Sequence, residues 1–192
     1  MIKLLTVDDL PTCMEIATLK NRTAGTVPLT AGGFLEAFEK YFNNNLDHRA
    51  IGYFENDILI SFLFISMFEN TMRGKFWVIS GLYTKEFNSY FTFKKAGIGE
   101  LTKAAFKYTE SIGWYEYYYC TSERVMNVYE RQWKKSESHR YDHVLLEVVP
   151  PNTKPFYELY WRLMGGSVKP DPMVFKKRIL KPEFRNMVGG IE

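Results

Sequence analysis

The chain has few of the residues that build metal sites and disulfide frameworks. Its 192 residues include two cysteines, Cys13 and Cys120, and three histidines, with no CxxC pair and no Cys/His cluster. A zinc site or a disulfide-stapled scaffold needs closely spaced sets of these residues. Both classes are therefore disfavoured, and we expect two buried thiols in a reducing compartment.

The chain also lacks a long apolar run and a strong charge of either sign. Its most apolar window, residues 58–68, is about half of the ~20 residues that a membrane-spanning helix needs, and its start has no run typical of a signal peptide. The 25 Lys and Arg nearly balance the 22 Asp and Glu, which gives no support for a nucleic-acid partner. We expect a soluble cytoplasmic protein without a membrane partner.

The chain is rich in apolar residues, which make up 46% of it, and aromatic residues make up 17%. This composition supports one well-buried core, so we predict a single domain over residues 1–192. Periodicity and turn residues then predict the elements in order. They are a strand over 1–7, a helix capped by Asp8 or Asp9, a helix over 34–42, a hairpin of strands 49–55 and 58–68 turning at Asn56-Asp57, and a strand over 75–84.

A glycine pair, Gly97 and Gly99, opens the next predicted helix, which ends at Gly113. Glycine offers no capping oxygen, but its missing side chain lets a ligand approach the backbone. The free N–H groups and the positive dipole end of a helix suit a phosphate or pyrophosphate. The strand predicted over 114–120 should run parallel to the strand over 75–84, because a helix lies between them.

Two common phosphate-binding motifs do not fit this stretch. A Walker loop requires Lys directly after its last glycine, and the residue after Gly99 is Glu100. A Rossmann GxGxxG would need glycine at position 102, where this chain has Thr102. It would also need to follow the strand that opens the fold, whereas the strands predicted before this helix are antiparallel.

With those two excluded, "KKAGIG" resembles the [RQ]xxGx[GA] motif of the GNAT superfamily of acyl-CoA N-acyltransferases, with Lys94 in place of Arg or Gln. The predicted order β-α-α-β-β-β-α-β-α-β also resembles that superfamily as far as about residue 150. The resemblance implies a mixed, mostly antiparallel central sheet with helices on both faces. Residues 150–192 would add a further helix and strand. We call residues 94–99 the glycine loop. An insertion directly before it, "NSYFTF", departs from the usual pattern.

The resemblance further implies an acyl-CoA cofactor, acetyl-CoA or another acyl-CoA. Amides near the glycine loop would hold the pyrophosphate, Lys94 or Lys95 would add charge, and the strand before the loop would pair with the pantetheine arm. The implied cofactor-binding residues are Leu82, Tyr83, Thr84, Lys94, Lys95, Ala96, Gly97, Ile98 and Gly99.

A second stretch, "SERVMNVYERQW", resembles the superfamily's NxxAxxxYEKxGF, with Ser122 in place of Asn and Tyr129 at the position of the tyrosine that commonly protonates the departing CoA thiolate. A tyrosine with a pKa near ~10 is still a protonated donor at neutral pH. The run "YWRLMGG" offers Tyr157 or Tyr160 as alternatives, and packing is the alternative role for Tyr129.

Other candidate groups are few. Glu86 follows the strand over 75–84 and could deprotonate an amine directly or through water. His139 and His143 lie four residues apart without a nearby set of carboxylates, so we expect no metal site.

These expectations combine into an N-acetyltransferase that transfers an acetyl or other acyl group to an amine by direct attack. The acceptor, a small molecule or a peptide, is left open, as is a homodimer. Two alternatives are an N-acyl synthase that uses a long acyl chain and a non-catalytic GNAT-like binding module.

If Tyr129 is the general acid, Tyr129→Phe should keep CoA affinity but lower kcat by roughly 10²-fold, as measured by steady-state kinetics. The deficit should shrink for activated thioesters, whose leaving groups need less protonation. An unchanged kcat would move the role to Tyr157, Tyr160 or water.

Overall fold

The computed structural model describes residues 1–18, 30–43, 47–71, 74–85, 97–122, 138–149 and 173–187. Within them the chain forms seven strands and three α-helices, with short 3₁₀ turns between some of them. The elements are β1 (Ile2–Leu4), α1 (Leu10–Thr18), α2 (Ala31–Phe38), β2 (His48–Glu55), β3 (Ile58–Asn70), β4 (Gly74–Thr84), α3 (Ile98–Ser111), β5 (Glu116–Ser122), β6 (Tyr141–Val149) and β7 (Met173–Leu180).

The strands form one sheet in the order β1-β2-β3-β4-β5-β7-β6. Every neighbouring pair is antiparallel except β4 and β5, which are parallel. Because α3 connects β4 to β5, the chain crosses back over the sheet and the two strands run the same way. The predicted mixed, mostly antiparallel sheet is therefore confirmed, as are the predicted hairpin and the parallel pair.

The hairpin between β2 and β3 turns at Asn56 and Asp57, both of which have positive φ, 48° and 63°. A two-residue turn of this kind needs left-handed backbone at both positions, which Asn and Asp tolerate better than most residues. The local sequence thus determines where β2 ends and β3 begins.

The sequence predicted a further strand within residues 150–192 but not its place in the sheet. That strand is β7, which lies inside the sheet, paired with β5 on one side and with β6 on the other. β6 follows β5 in the chain but occupies the edge of the sheet. Strand order is a tertiary property, and no local pattern in 173–180 reveals it.

Helices cover the two faces of the sheet, and side-chain alternation along β3 sorts the core between them. Phe62 and Phe64 pack with α1 and α2, and we call this the α1/α2 face. Leu63 and Ile65 pack with α3, and we call this the α3 face. In the described residues, no helix is both long and apolar enough to cross a membrane.

The start of the first helix differs from the prediction. Asp8 and Asp9 are not its caps, because a 3₁₀ turn over Val7–Asp9 precedes α1. The backbone N–H of Thr6 donates to the Asp9 carboxylate at 3.0 Å, so Thr6 occupies the cap position. Asp9 acts from the third position, as in a capping box.

A buried carboxylate anchors the far end of α3 to the sheet. Glu110 is 4% exposed, and its carboxylate accepts hydrogen bonds from Arg140 at 2.9 Å and from the Tyr141 hydroxyl. A buried charge is stable only when it is paired and hydrogen-bonded. These contacts therefore hold the C-terminal turn of α3 next to β6.

Replacing Glu110 with Gln should lower the free energy of unfolding by about 1–3 kcal/mol, because the amide loses the charge-assisted bond to Arg140. Urea unfolding followed by circular dichroism measures the change. The matched control is Glu100→Gln, which breaks an exposed pair with Lys103 and should cost about 0.5 kcal/mol or less. Equal losses in the two variants would contradict an anchoring role for Glu110.

Candidate functional site

The sheet opens between its two parallel strands, β4 and β5. The register between them in the described residues consists of one pair, Trp77 with Tyr117. β4 continues to Thr84 along β3, while β5 continues to Ser122 along β7. β4 thus stays paired with β3, and β5 stays paired with β7, while β4 and β5 separate from each other. We call the opening, bounded by 78–84 of β4 and 118–122 of β5, the β4–β5 wedge.

A β-bulge in β4 accompanies the opening. Opposite Phe64 and Ile65 of β3, the partners in β4 are Gly81 and Ile79, so Ser80 is an extra residue. A bulge bends a strand and increases its local twist. The bulge therefore bends β4 within the stretch that no longer pairs with β5.

The backbone of β4 beyond the bulge alternates between the two sides of the strand. The N–H of Lys85 donates to Ile60 O of β3 at 2.9 Å. In an antiparallel ladder, residues two apart share the same side. Tyr83 therefore directs its N–H and C=O toward β3, and Leu82 and Thr84 direct theirs toward the wedge.

The glycine loop contains a left-handed residue at the start of α3. Gly97 has φ 64° and ψ 19°, and a Cβ there would lie 2.4 Å from the ring of Tyr53. Both the conformation and the contact exclude a side chain. Gly97 is thus required by the structure itself, whatever the loop binds.

Gly99 is different, since a Cβ added to it would meet no atom of the described residues within 4 Å. The first bond of the helix runs from Leu101 N to Gly97 O at 2.9 Å. The N–H groups of Ile98, Gly99 and Glu100 lie before it and have no acceptor within the helix. They form an electropositive helix start.

Measured along the strand direction, the start of α3 is level with the end of β4. Tyr53 of β2 pairs with Ser61 of β3, which pairs with Thr84 of β4. These residues form one row across three strands, and Gly97 packs on the Tyr53 ring at one end of it. A group bound at the helix start is therefore level with the mouth of the wedge.

A chain of hydroxyl groups lies on the α1/α2 face beside the bulge. The Tyr41 and Ser66 hydroxyls are 2.6 Å apart, and Ser66 Oγ is hydrogen-bonded to Ser80 Oγ. Tyr41 and Ser66 are 4% and 3% exposed, whereas Ser80 is exposed. Sequence analysis missed this group because hydroxyl residues 25 and 14 positions apart carry no local signal.

Aromatic rings and His48 surround this hydroxyl chain. The rings of Phe62 and Tyr83 stack at 5.1 Å, and Tyr83 lies 5.9 Å from Phe38. The imidazole of His48 lies 4.9 Å from the Tyr41 ring. Burial and, to a lesser extent, the nearby Lys40 charge lower the pKa of His48, which favours the neutral imidazole.

The predicted site residues divide into two groups. Leu82, Tyr83 and Thr84 line the wedge strand, and Gly97, Ile98 and Gly99 form the start of α3, so the structure brings these two sets to the same end of the sheet. The other predicted residues lie outside the described part of the chain. They are Glu86, Lys94, Lys95, Ala96, Tyr129, Tyr157 and Tyr160.

Other predicted roles concern cysteine and histidine. Cys13 is fully buried in α1, and burial raises the pKa of its thiol, which fits a structural role. His139 packs against Phe184 at 5.6 Å. Within the described ranges, no three His, Cys, Asp or Glu residues come together in a group that could hold a metal.

No protein-family model matches the chain, and no curated protein is similar to it in sequence. Solved structures are similar to it in fold. A GNAT-family acetyltransferase from Streptococcus pneumoniae has a TM-score of 0.63 and 10% identity over 94% of this chain and 99% of that one. The ribosomal-protein-S18-alanine N-acetyltransferase from Escherichia coli has a TM-score of 0.57 and 10% identity, covering 94% of each chain.

A third structure, an N-acetyltransferase from Staphylococcus aureus Mu50, has a TM-score of 0.53 and 11% identity over 92% of this chain and 95% of that one. At such identities the likeness concerns the fold, and the chain has the fold of the GNAT N-acetyltransferases. The resemblance seen in the sequence is thus confirmed at the level of the fold.

The two glycines of the loop should respond differently to alanine. Gly97→Ala should lower the free energy of unfolding by about 1–3 kcal/mol, because it forces alanine into left-handed backbone and against the Tyr53 ring. Gly99→Ala should leave stability unchanged or raise it by up to ~1 kcal/mol, because alanine favours the helix. Urea denaturation of both variants tests the contrast, and equal stabilities would refute it.

Proposed function

We propose that this protein is an acyl-CoA-dependent N-acyltransferase that transfers an acetyl or other acyl group to an amine. The observation that carries the proposal is the pairing of an opened β4–β5 wedge with the start of α3 at the same height. A cofactor with a pyrophosphate and a long amide arm needs both an anion site and a strand edge.

The dimensions of the wedge suit a pantetheine arm. The stretch from Ser80 to Thr84 rises about 13 Å at ~3.3 Å per residue. Pantetheine has about as many chain atoms as four peptide residues and so extends to at most ~14 Å. An arm that starts level with Thr84 would end, with its sulfur, near the bulge.

Named residues would hold the cofactor in this proposal. The amides of Ile98, Gly99 and Glu100 would bind the pyrophosphate, and Lys94 or Lys95 would add charge. Leu82 and Thr84 would pair their wedge-facing backbone groups with the amides of the arm, as a neighbouring strand would. Tyr83, whose backbone faces β3, would keep this part of β4 in place.

The chemistry needs no covalent enzyme intermediate. A neutral amine attacks the thioester carbon, the carbon–sulfur bond breaks, and the thiolate leaves as the nitrogen loses a proton. Holding both reactants in the wedge supplies much of the acceleration. We propose Glu86 as the base for the amine and Tyr129 as the acid for the thiolate.

The acceptor would be a primary amine of a small molecule or a peptide. One structural neighbour is named as an enzyme that acetylates the alanine of ribosomal protein S18. The described residues give no reason to prefer that acceptor here, since the α1/α2 face beside the bulge is aromatic and carries hydroxyls.

Native mass spectrometry of the purified protein would identify any retained CoA species and its acyl length. A screen of amines with that donor would then test transfer.

Gly99→Glu should abolish acetyl-CoA binding, because it brings a carboxylate to the electropositive start of α3. Thermal stability should change little, since nothing lies within 4 Å of a Cβ at this position. Isothermal titration calorimetry measures the loss of affinity.

Gly32→Glu provides the matched control. Gly32 is likewise the second residue of a helix, α2, and a Cβ there also meets nothing within 4 Å. It should retain wild-type affinity for acetyl-CoA. Wild-type affinity in a folded Gly99→Glu protein would overturn the assignment of the pyrophosphate to α3.

A further inference from the structure

The hydroxyl chain Tyr41–Ser66–Ser80 has no role in the cofactor contacts described above. We propose that Ser80 is a catalytic residue whose hydroxyl donates a hydrogen bond to the carbonyl oxygen of the acyl thioester. Ser66 and Tyr41 are positioning residues that orient this hydroxyl. The inference rests on the acyltransferase function proposed above and goes beyond it by assigning a side chain to the reacting carbonyl.

The direction of the hydrogen bonds follows from burial. The Tyr41 hydroxyl is 4% exposed, and Ser66 Oγ is the partner that the described residues provide for it, at 2.6 Å. A buried O–H needs an acceptor, so Tyr41 donates to Ser66. Ser66 is 3% exposed, so by the same argument its hydroxyl donates to Ser80 Oγ, the acceptor that the described residues provide for it.

One donor remains after these two bonds are made. Three hydroxyls carry three protons, and the bonds from Tyr41 and Ser66 use two of them. The third belongs to Ser80, the exposed end of the chain. Because each bond polarises the next, the Ser80 O–H is a stronger donor than an isolated serine.

The position of Ser80 fits the reacting carbonyl. Ser80 is the extra residue of the bulge and lies within the stretch 78–84 of β4 that bounds the wedge. A pantetheine arm that begins level with Thr84 ends about 13 Å further along β4, near Ser80. The bulge therefore brings a side-chain donor to the depth where the thioester would lie.

The proposed bond stabilises the charge that develops in the reaction. When the amine nitrogen attacks, the carbonyl π electrons move to oxygen, and the Ser80 O–H faces the resulting oxyanion. The carbon–oxygen double bond then re-forms, the thiolate departs, and the nitrogen gives up its proton. Ser80 keeps its own proton throughout. A donor fixed before the reaction stabilises such an oxyanion without having to reorganise.

Infrared difference spectroscopy of bound [1-¹³C]acetyl-CoA tests the inference without an acceptor. A hydrogen bond to the carbonyl lowers its stretching frequency. We expect a lower frequency in the wild-type complex than in free acetyl-CoA. Ser80→Ala should move the frequency back toward the free value, and Tyr41→Phe should move it part of the way. Acetyl-CoA affinity should stay within about threefold of wild type in both variants.

Tyr108→Phe is the control for removing a tyrosine hydroxyl. Tyr108 is half-buried on the α3 face, where its hydroxyl accepts a hydrogen bond from Arg49 Nε at 2.9 Å. This variant should keep the wild-type carbonyl frequency. A loss of the shift in Tyr108→Phe as well would mean that general loosening, not the hydroxyl chain, controls the carbonyl, and would overturn the inference.

The remaining outcomes separate the two proposals. If wild-type protein binds acetyl-CoA and both Ser80→Ala and Tyr41→Phe keep its carbonyl frequency, the role of Ser80 is overturned and the proposed function stands. If wild-type protein does not bind acetyl-CoA, the proposed function is overturned and this inference with it.

Discussion

The site depends on one point of contact, the pair Trp77 and Tyr117 where β4 and β5 meet. Trp77 is 1% exposed, and its ring lies 4.3 Å from Tyr117 and 4.8 Å from Phe106 of α3. Three elements therefore converge on one aromatic cluster. β4 and β5 meet at this cluster, and beyond it β4 pairs with β3 and β5 pairs with β7. The wedge is therefore closed at the cluster and open at its other end.

The glycine loop shows how a motif can combine structural and functional demands. Gly97 has its left-handed backbone and its contact with Tyr53, so its absence of a side chain serves the fold. Gly99 has ordinary helical backbone, and an added Cβ would meet no atom of the described residues within 4 Å, so the described part of the fold does not require it. This difference makes Gly99 the more informative of the two about a ligand.

The two faces of the sheet carry different parts of the candidate site. The α3 face carries the helix start and the buried Glu110 contacts that hold α3 at its other end. The α1/α2 face carries aromatic rings and the hydroxyl chain that ends at Ser80. The bulge at Ser80 lies between them, because Ser80 is on the strand that bounds the opening and its side chain belongs to the hydroxyl chain. Under the proposed function, variants at the start of α3 would change cofactor binding and variants at Ser80 would change the reaction chemistry.

The sequence determined most of the local structure, since the turn at Asn56-Asp57, the apolar periodicity of α3 and the propensities of β2 to β5 all act over a few residues. A motif resemblance also predicted Leu82–Thr84 and Gly97–Gly99 as parts of one site, and the structure places both sets at the same end of the sheet. Only the tertiary structure decided that β7 lies between β5 and β6, that Ser80 is a bulge residue, and that Tyr41, Ser66 and Ser80 share hydrogen bonds. These depend on which strands pair and in what register, and pairing energy between distant segments leaves no periodic signal in either segment alone.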